Sequence, residues 1–213
     1  WLRWLWIVTM IELQDRIGLG WRPELDAGIL SNLDRIDLVE VIADDYFRAP
    51  RRQRRALRTL AKQVPVTLHG VSLGLASTVV VSPKRLEQMA RLCGEIEPAS
   101  WSEHLAFVRG GGIEIGHLAA PPRTSATLEG ASTNIALARK IVGTSPLVEN
   151  VATLIDPPGS DRDELSWINE VLMNSSSDLL LDLHNLYANA LNFGFDPVAF
   201  IARLPAQRIN AIH

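Results

Sequence analysis

The stretch SDLLLDLHN, residues 177–185, combines two features that decide the fold class. Its apolar run at 179–181 is typical of a strand that is buried on both faces of a sheet. Polar side chains then follow at its carboxyl end, where Asp182, His184 and Asn185 stand. Burying such groups costs several kcal/mol unless each finds a partner, so we expect either a metal ion or a hydrogen-bond network there.

Similar strand-like segments recur along the chain, with amphipathic helical patterns between them. The sequence predicts strands at 16–22, 35–43, 65–70, 99–107, 145–151, 177–185 and 207–213. The clearest helical patterns cover 27–33, 51–64, 83–96, 128–142, 162–175 and 197–205. This alternation predicts an α/β fold with a parallel sheet and helices outside it. A TIM-type (β/α)8 barrel needs one strand more, so we expect either an open sheet or a barrel whose last unit is missing.

Composition and charge narrow the class of protein. The chain has 213 residues, 47% of them hydrophobic and 21% charged, which is ordinary for a soluble globular protein. Its net charge of −3 argues against a broad nucleic-acid or membrane footprint. The single cysteine, Cys93, cannot form an intramolecular disulfide, so a cytoplasmic location is expected. The arginine-rich segment 48–58 is interpreted as an outer helix, because Ala56, Leu57 and Leu60 suit its inner face.

The first ten residues, WLRWLWIVTM, are apolar and rich in tryptophan. This segment is shorter than the roughly 20 residues that span a bilayer, and it lacks the features of a signal peptide. Met10 is a sensible start, so we expect residues 1–9 to be a non-native or misassigned leader. Residues 10–213 are then expected to form a single, incomplete barrel domain.

Residues that can bind a metal close five successive predicted strands. They are His69, Glu103 with His104, Glu149 with Asn150, Asp182 with His184 and Asn185, and His213. Because the carboxyl ends of the strands form the active-site face of such barrels, we expect these side chains to converge. Neighbours in a strand point to opposite faces, and of Glu103 and His104 the histidine is the commoner ligand. Histidines and carboxylates without clustered cysteines favour iron, manganese or a catalytic zinc.

Each of these residues, taken alone, also fits a purely structural role. A histidine at a strand end is usually a core residue with a hydrogen-bond partner, and a pair such as Glu149 and Asn150 often caps a helix or supports a loop. Repetition over five strands favours the metal site. For His117, in the segment GHLAAPPRT, a loop or substrate role is expected. The glycines at 110–112 lack the spacing of a dinucleotide site and are interpreted as a turn.

Eight motifs, in this order, resemble those of the multinuclear non-heme iron-dependent oxidative enzymes: GLGWRPEL, LVEVIADDYF, LHGVSLGLAS, SEHLAF, GHLAAPPRT, VENVA, LLLDLHNLYANALNFGFDP and INAIH. The resemblance runs from about Ile17 to His213. This family includes the iron-binding subunit that makes the copper-binding groups of methanobactin. The resemblance implies a xylose isomerase-like TIM-type barrel, two or three irons, and dioxygen as cosubstrate. It also implies oxidative modification of residues, mainly cysteines, in ribosomally made precursor peptides, often with a partner protein that recognises the leader.

Matched motif by motif, the resemblance implies a set of metal ligands: His69, His104, Glu149, Asp182, Asn185 and His213. His184 stands where many members have asparagine, and it could add a ligand or displace one. Glu149, as a bridging ligand, and Asp182 are predicted to be catalytic. Five further residues are predicted to contact substrate or support the ligands: Glu40, Asp45, Glu103, His117 and Asn150. The family continues past the AIH motif, so a chain ending at His213 is expected to lack an eighth strand and some ligands.

Three functions remain open at this point. The first is iron- and oxygen-dependent modification of a precursor peptide. The second is a divalent-metal sugar isomerase or a phosphodiesterase on the same barrel, which would need no oxygen. The third is a non-catalytic remnant that binds a partner or nothing. Fold analogy does not choose among them, but the order of the ligands favours the first.

Overall fold

A computed structural model describes residues 15–213. The strands, in chain order, are β1 (Gly18–Gly20), β2 (Leu38–Ile42), β3 (Val66–Gly70), β4 (Ser100–His104), β5 (Phe107–Gly110), β6 (Ile113–Ala119), β7 (Leu147–Glu149), β8 (Leu179–Leu181) and β9 (Ile209–Ile212). The helices are α1 (Asp26–Leu30), α2 (Arg51–Ala61), α3 (Pro83–Ile96), α4 (Ser125–Val142), α5 (Glu164–Ser175), α6 (Leu183–Phe193) and α7 (Pro197–Ala202). The expectation for residues 1–9 falls outside the described residues.

Seven of the strands form one parallel sheet in the order β1-β2-β3-β4-β7-β8-β9, so the predicted α/β architecture is confirmed. The sheet curls into a half-barrel. Four strands separate β2 from β9, yet His213, just after β9, hydrogen-bonds Glu40 of β2 over 2.8 Å. The carboxyl ends of the strands therefore enclose a shared space.

Two of the predicted strands are wrong in extent. The strand predicted over 99–107 ends at His104, and an antiparallel hairpin of β5 and β6 follows it. The strand predicted over 177–185 is shorter still: β8 covers Leu179–Leu181, and α6 begins at Leu183. The hairpin also replaces the loop predicted around His117, whereas the turn predicted at 110–112 is confirmed as its tip.

Helices cover the outer face of the sheet. The inner residues of α2 behave as predicted, since Leu57 and Leu60 are buried, while most of its arginines are exposed and Ala56 is exposed as well. Arg54 is half-buried and pairs with Glu95 of α3 over 2.7 Å. Within residues 15–213, no helix combines the length and the apolar character that crossing a bilayer requires.

The long loop between β3 and α3 is fastened to α4 by Asn134, whose side chain is 1% exposed. Its amide oxygen accepts from the backbone N–H of Val81 over 2.9 Å. Its amide nitrogen donates to three carbonyl oxygens of the loop at 3.0–3.1 Å, those of Leu75, Ser77 and Val79. Gly130 lets the loop lie close, because a Cβ there would stand 2.3 Å from the carbonyl oxygen of Ser77. The loop is thus fixed directly behind the carboxyl end of β3.

Candidate metal centre

Three buried side chains meet at the carboxyl ends of β3, β4 and β7. His69, His104 and Glu149 are 6%, 8% and 2% exposed. The Nε2 atoms of both histidines lie 3.5 Å from Oε2 of Glu149. That carboxylate oxygen is buried and has no hydrogen-bond partner among residues 15–213. One ligand atom from each of the three residues lies within 4.8 Å of the others.

Glu149 also belongs to a second group of potential ligands, with Asp182 and His213. Its other oxygen, Oε1, lies 3.9 Å from Nδ1 of His213. The two groups therefore share one carboxylate, which is the arrangement expected for two neighbouring metal ions.

Charges around the centre differ from those of isolated side chains. Burial lowers the pKa of His69, against the opposing effect of the Glu149 charge. Burial also disfavours the charged form of His104, but the carboxylates of Glu103 and Glu149 outweigh it and raise its pKa. Three acidic groups and three histidines thus lie close together, and a bound cation would relieve repulsion among the carboxylates.

His213 lies between two carboxylates. Its Nε2 atom is 2.8 Å from Oε2 of Glu40. Glu149 and Glu40 together raise the pKa of His213 to about 10. Burial opposes ionisation of Glu40, but its hydrogen bond to His213 prevails and lowers the pKa of that carboxyl. Glu40, predicted to support the site, is therefore brought into contact with a candidate ligand.

Ser102 orients His69, and sequence reasoning missed it. Its hydroxyl lies 2.8 Å from Nδ1 of His69, which fixes the ring and leaves Nε2 facing Glu149. The two residues are register partners on neighbouring strands. Ser102 also stands two residues before His104, so the same-face rule could have found it once β3 and β4 were known to be neighbours.

Glu103 is almost fully buried and supports the chain on both sides of the centre. One carboxylate oxygen accepts from the backbone N–H of Leu73 over 3.1 Å, and the other accepts from that of His104 over 3.0 Å. Its contact with the β3 end requires Gly70, because a Cβ there would stand 2.8 Å from Oε2 of Glu103. This is the supporting role that was expected for Glu103.

Asn150 holds the backbone of Asp182. Its amide nitrogen donates to the carbonyl oxygen of Asp182 over 2.9 Å, and its amide oxygen accepts from the N–H of Asp182 over 2.8 Å. The side chain of Asn185 donates in turn to the carbonyl oxygen of Asn150 over 2.9 Å. Asp182 caps α6 by accepting from the N–H of Asn185 over 2.6 Å. Asn185, expected as a ligand, therefore lies in neither ligand group and fastens the turn beside Asp182.

Three residues predicted for the site lie away from it. His184 is exposed on the first turn of α6, because the strand ends before it, and it belongs to neither ligand group. His117 is exposed on β6. Asp45 is exposed as well, whereas its neighbour Asp44 accepts from the N–H of Val71 over 2.9 Å and from the hydroxyl of Ser72.

The donor set fits a divalent transition metal. Imidazole nitrogens and carboxylate oxygens suit iron, manganese and zinc, and the unpartnered oxygen of Glu149 offers a place for such an ion. Buried polar atoms normally have partners, so an orphan carboxylate oxygen between two histidine nitrogens calls for one.

Known proteins resemble the chain in both sequence and fold. A model of the family described as the RiPP precursor modification enzyme MbnB/TglH/ChrH matches residues 16–213. A UPF0276 protein of Anaeromyxobacter sp. is 35% identical over 196 residues, which cover 92% of this chain and 69% of the relative. A UPF0276 protein of Acaryochloris marina is 33% identical over 207 residues, covering 97% of this chain and 74% of the relative. The chain thus spans about seven-tenths of the length of these two relatives.

Solved structures share the fold at low sequence identity. The 3-keto-D-glucoside 4-epimerase YcjR of E. coli superposes with a TM-score of 0.61 at 14% identity, covering 94% of this chain and 78% of that one. Endonuclease IV of Thermus thermophilus gives a TM-score of 0.59 at 15% identity, covering 93% and 76%. The D-psicose 3-epimerase of Clostridium cellulolyticum gives 0.63 at 9% identity, covering 93% and 72%. These likenesses establish the xylose isomerase-like TIM-barrel fold. The family match, which spans nearly the whole chain, establishes more: the chain belongs to the MbnB/TglH/ChrH family of enzymes that modify ribosomally synthesised precursor peptides.

Proposed function

We propose that this protein uses iron and dioxygen to oxidise a residue, chiefly cysteine, in a ribosomally synthesised precursor peptide. We further propose that it acts in the cytoplasm with a partner protein that binds the leader of the peptide. The observation that carries the proposal is the carboxylate of Glu149, shared by two groups of ligands and left with an unpartnered oxygen within the described residues. Family membership supplies the class of substrate.

Each side chain of the centre has a role in this proposal. His69 and His104 offer their Nε2 atoms to one metal, and Ser102 holds the His69 ring in place. Asp182 and His213 serve the second ion, and Glu149 lies between the two. Iron bound there would supply the activation of dioxygen and a binding site for a substrate thiolate.

The sugar isomerase and phosphodiesterase alternatives rest on the fold alone. The structural neighbours include sugar epimerases and a nuclease, but at 9–15% identity they share architecture and not substrates with this chain. The family match favours a peptide substrate instead.

The first experiment is metal analysis by mass spectrometry on anaerobically purified protein supplied with iron, manganese and zinc together. We expect iron in the wild-type chain. Glu149→Gln keeps the shape of the side chain but removes the shared charge, and it should weaken metal binding by more than about 100-fold, the upper end of the effect of losing an outer-shell partner. His184→Ala is the matched control, because this exposed histidine lies outside both ligand groups and its loss should leave the metal content unchanged.

Three results would contradict the proposal. Zinc or manganese without iron would remove the oxidative chemistry. Full metal content in Glu149→Gln, with unchanged circular dichroism, would show that the ligand assignment is wrong. Metal loss in His184→Ala would restore that residue to the ligand set. Where iron is found, oxygen consumption upon addition of a cysteine-containing precursor peptide tests the reaction itself.

A further inference from the structure

A pocket adjoins the metal centre and has no part in holding the ions. It contains about 300 Å³ of empty space, part of which is open to solvent. One wall begins where the ligand-bearing strands end, since Leu105 follows His104 and Asn150 follows Glu149. The opposite wall comes from the first turns of α5. A substrate residue next to the one being modified would reach this space.

Two buried N–H donors of the pocket residues lack partners. Arg123 is 8% exposed and Trp167 is 3% exposed, and both line the pocket. Neither Nε of Arg123 nor Nε1 of Trp167 has a hydrogen-bond partner among the described residues. Since buried donors are nearly always paired, two orphans around one space indicate that an oxygen atom is bound there.

The other polar groups of the pocket are already engaged. The amide of Asn150 is committed to Asp182 on both sides. The hydroxyl of Thr153 donates to the carbonyl oxygen of Ile155 over 2.9 Å. What the pocket still offers is therefore mainly N–H donation, which selects an acceptor.

Charge in the pocket disfavours an ion of either sign. The guanidinium of Arg123 is already paired with the carboxylate of Asp156. The carboxyl group of Glu164 lies in the same pocket and has no ion-pair partner in the described part of the chain, so it would repel an anionic group. A cationic group would meet the guanidinium. A neutral acceptor avoids both penalties.

The remaining lining is apolar and comes from Leu105, Pro121, Val151 and Ile168. We infer that the pocket is a substrate subsite that binds one uncharged, apolar residue of the precursor peptide, with a backbone carbonyl oxygen accepting from Arg123 and Trp167. This inference rests on the proposed function, because it takes the substrate to be a peptide.

The test observes the indole N–H of Trp167 directly, by NMR of the whole chain labelled with ¹⁵N-tryptophan. The probe is N-acetyl-L-leucinamide, and the comparisons are the N-acetyl amides of lysine and glutamate. A ligand of this size is expected to bind with a millimolar dissociation constant, so titration runs to roughly 50 mM. We expect the Trp167 resonance to move downfield with the leucine probe, at a concentration roughly fivefold lower than with either charged probe.

The chain offers a matched control in Trp101, whose indole N–H is already bonded to Thr144 over 3.1–3.2 Å. Its resonance should not move. Trp167→Phe should weaken binding of the leucine probe by roughly three- to tenfold, the effect of one lost hydrogen bond, whereas Trp101→Phe should leave binding unchanged. Both variants lose the same volume from the core, so a general effect of packing would appear in both.

A Trp167 resonance that stays still, or that responds equally to the charged probes, would overturn the inference. The experiment needs neither metal nor turnover. Its failure is therefore distinct from a failure of the proposed iron chemistry, which metal analysis detects on its own.

Discussion

Glu164 makes the stability of the protein depend on pH in a way that one substitution removes. It is the first residue of α5, and its carboxylate oxygens accept from the amide of Asn189 over 3.0 and 3.1 Å. Burial raises the pKa of Glu164 from 4.5 to about 7, and the nearby charge of Arg123 only partly offsets this. The folded protein therefore holds a proton on this group that the unfolded chain releases near pH 4.5.

The sign and size of the effect follow from that difference. Between about pH 4.5 and 7 the folded state binds more protons than the unfolded state, so stability falls as pH rises and then levels off above about 7. The two pKa values differ by an amount worth about 3 kcal/mol at about 1.4 kcal/mol per unit. Because the residue is not completely shielded from water, we expect about 2–3 kcal/mol.

Urea unfolding of the wild type and of Glu164→Gln, at pH 5 and pH 8, measures this effect. The glutamine keeps an acceptor for Asn189 but cannot ionise, so the variant should gain about 2–3 kcal/mol relative to the wild type between the two pH values. Groups that titrate equally in both proteins cancel in this comparison. Glu170→Gln, at an exposed position of α5 that pairs with Arg162, should show no such gain. Parallel pH profiles for the wild type and Glu164→Gln would refute the reasoning.

Two further predictions concern the loop behind β3. Gly130→Ala should cost about 1–3 kcal/mol because its Cβ would stand 2.3 Å from the carbonyl oxygen of Ser77, whereas Gly94→Ala, with open space around it in α3, should stabilise by about 0.5–1 kcal/mol in urea unfolding. A neutral Gly130→Ala would show that the loop moves freely. Asn134→Ala strips the buried N–H of Val81 and the loop carbonyls of their partner, so it should cost roughly 2–4 kcal/mol and speed proteolysis of the loop, and a loss under about 1 kcal/mol would contradict this.

The fold was predictable from the sequence because its strands are short apolar runs separated by amphipathic helices. The boundaries were less predictable where a strand runs directly into a helix. In LLLDLHN, Asp182 is the N-cap of α6, and Leu186 and Ala190 continue the buried face of that helix. An aspartate before a helical apolar pattern is a known N-cap signal, but it was outweighed by the apolar run before it. The consequence was functional, since a strand would have aimed His184 and Asp182 the same way and the helix exposes His184 instead.

The supporting residues depended on information that a single sequence does not contain. Glu103 and Asn150 could be placed near the site because they adjoin predicted ligands. Ser102 could not, since its role follows from the register between β3 and β4. The contact of Glu40 with His213 follows from the curl of the sheet, which brings the second strand and the last one together. Register and curl are set by packing over the whole sheet, not by any local pattern.

The central role of Glu149 follows from the order of strands in the sheet. The candidate ligands lie at the ends of β3, β4, β7, β8 and β9, and β7 is the middle strand of these five. His104 is its register partner on β4, on one side, and Asp182 closes β8, on the other. The hairpin of β5 and β6 is inserted after β4 without separating β4 from β7. A carboxylate in the middle position can reach ligands on both sides, whereas the same residue at the end of β3 or β9 could join only one group. The topology therefore assigns the shared position to Glu149, and the loss of metal from both groups in Glu149→Gln is the result that this placement requires.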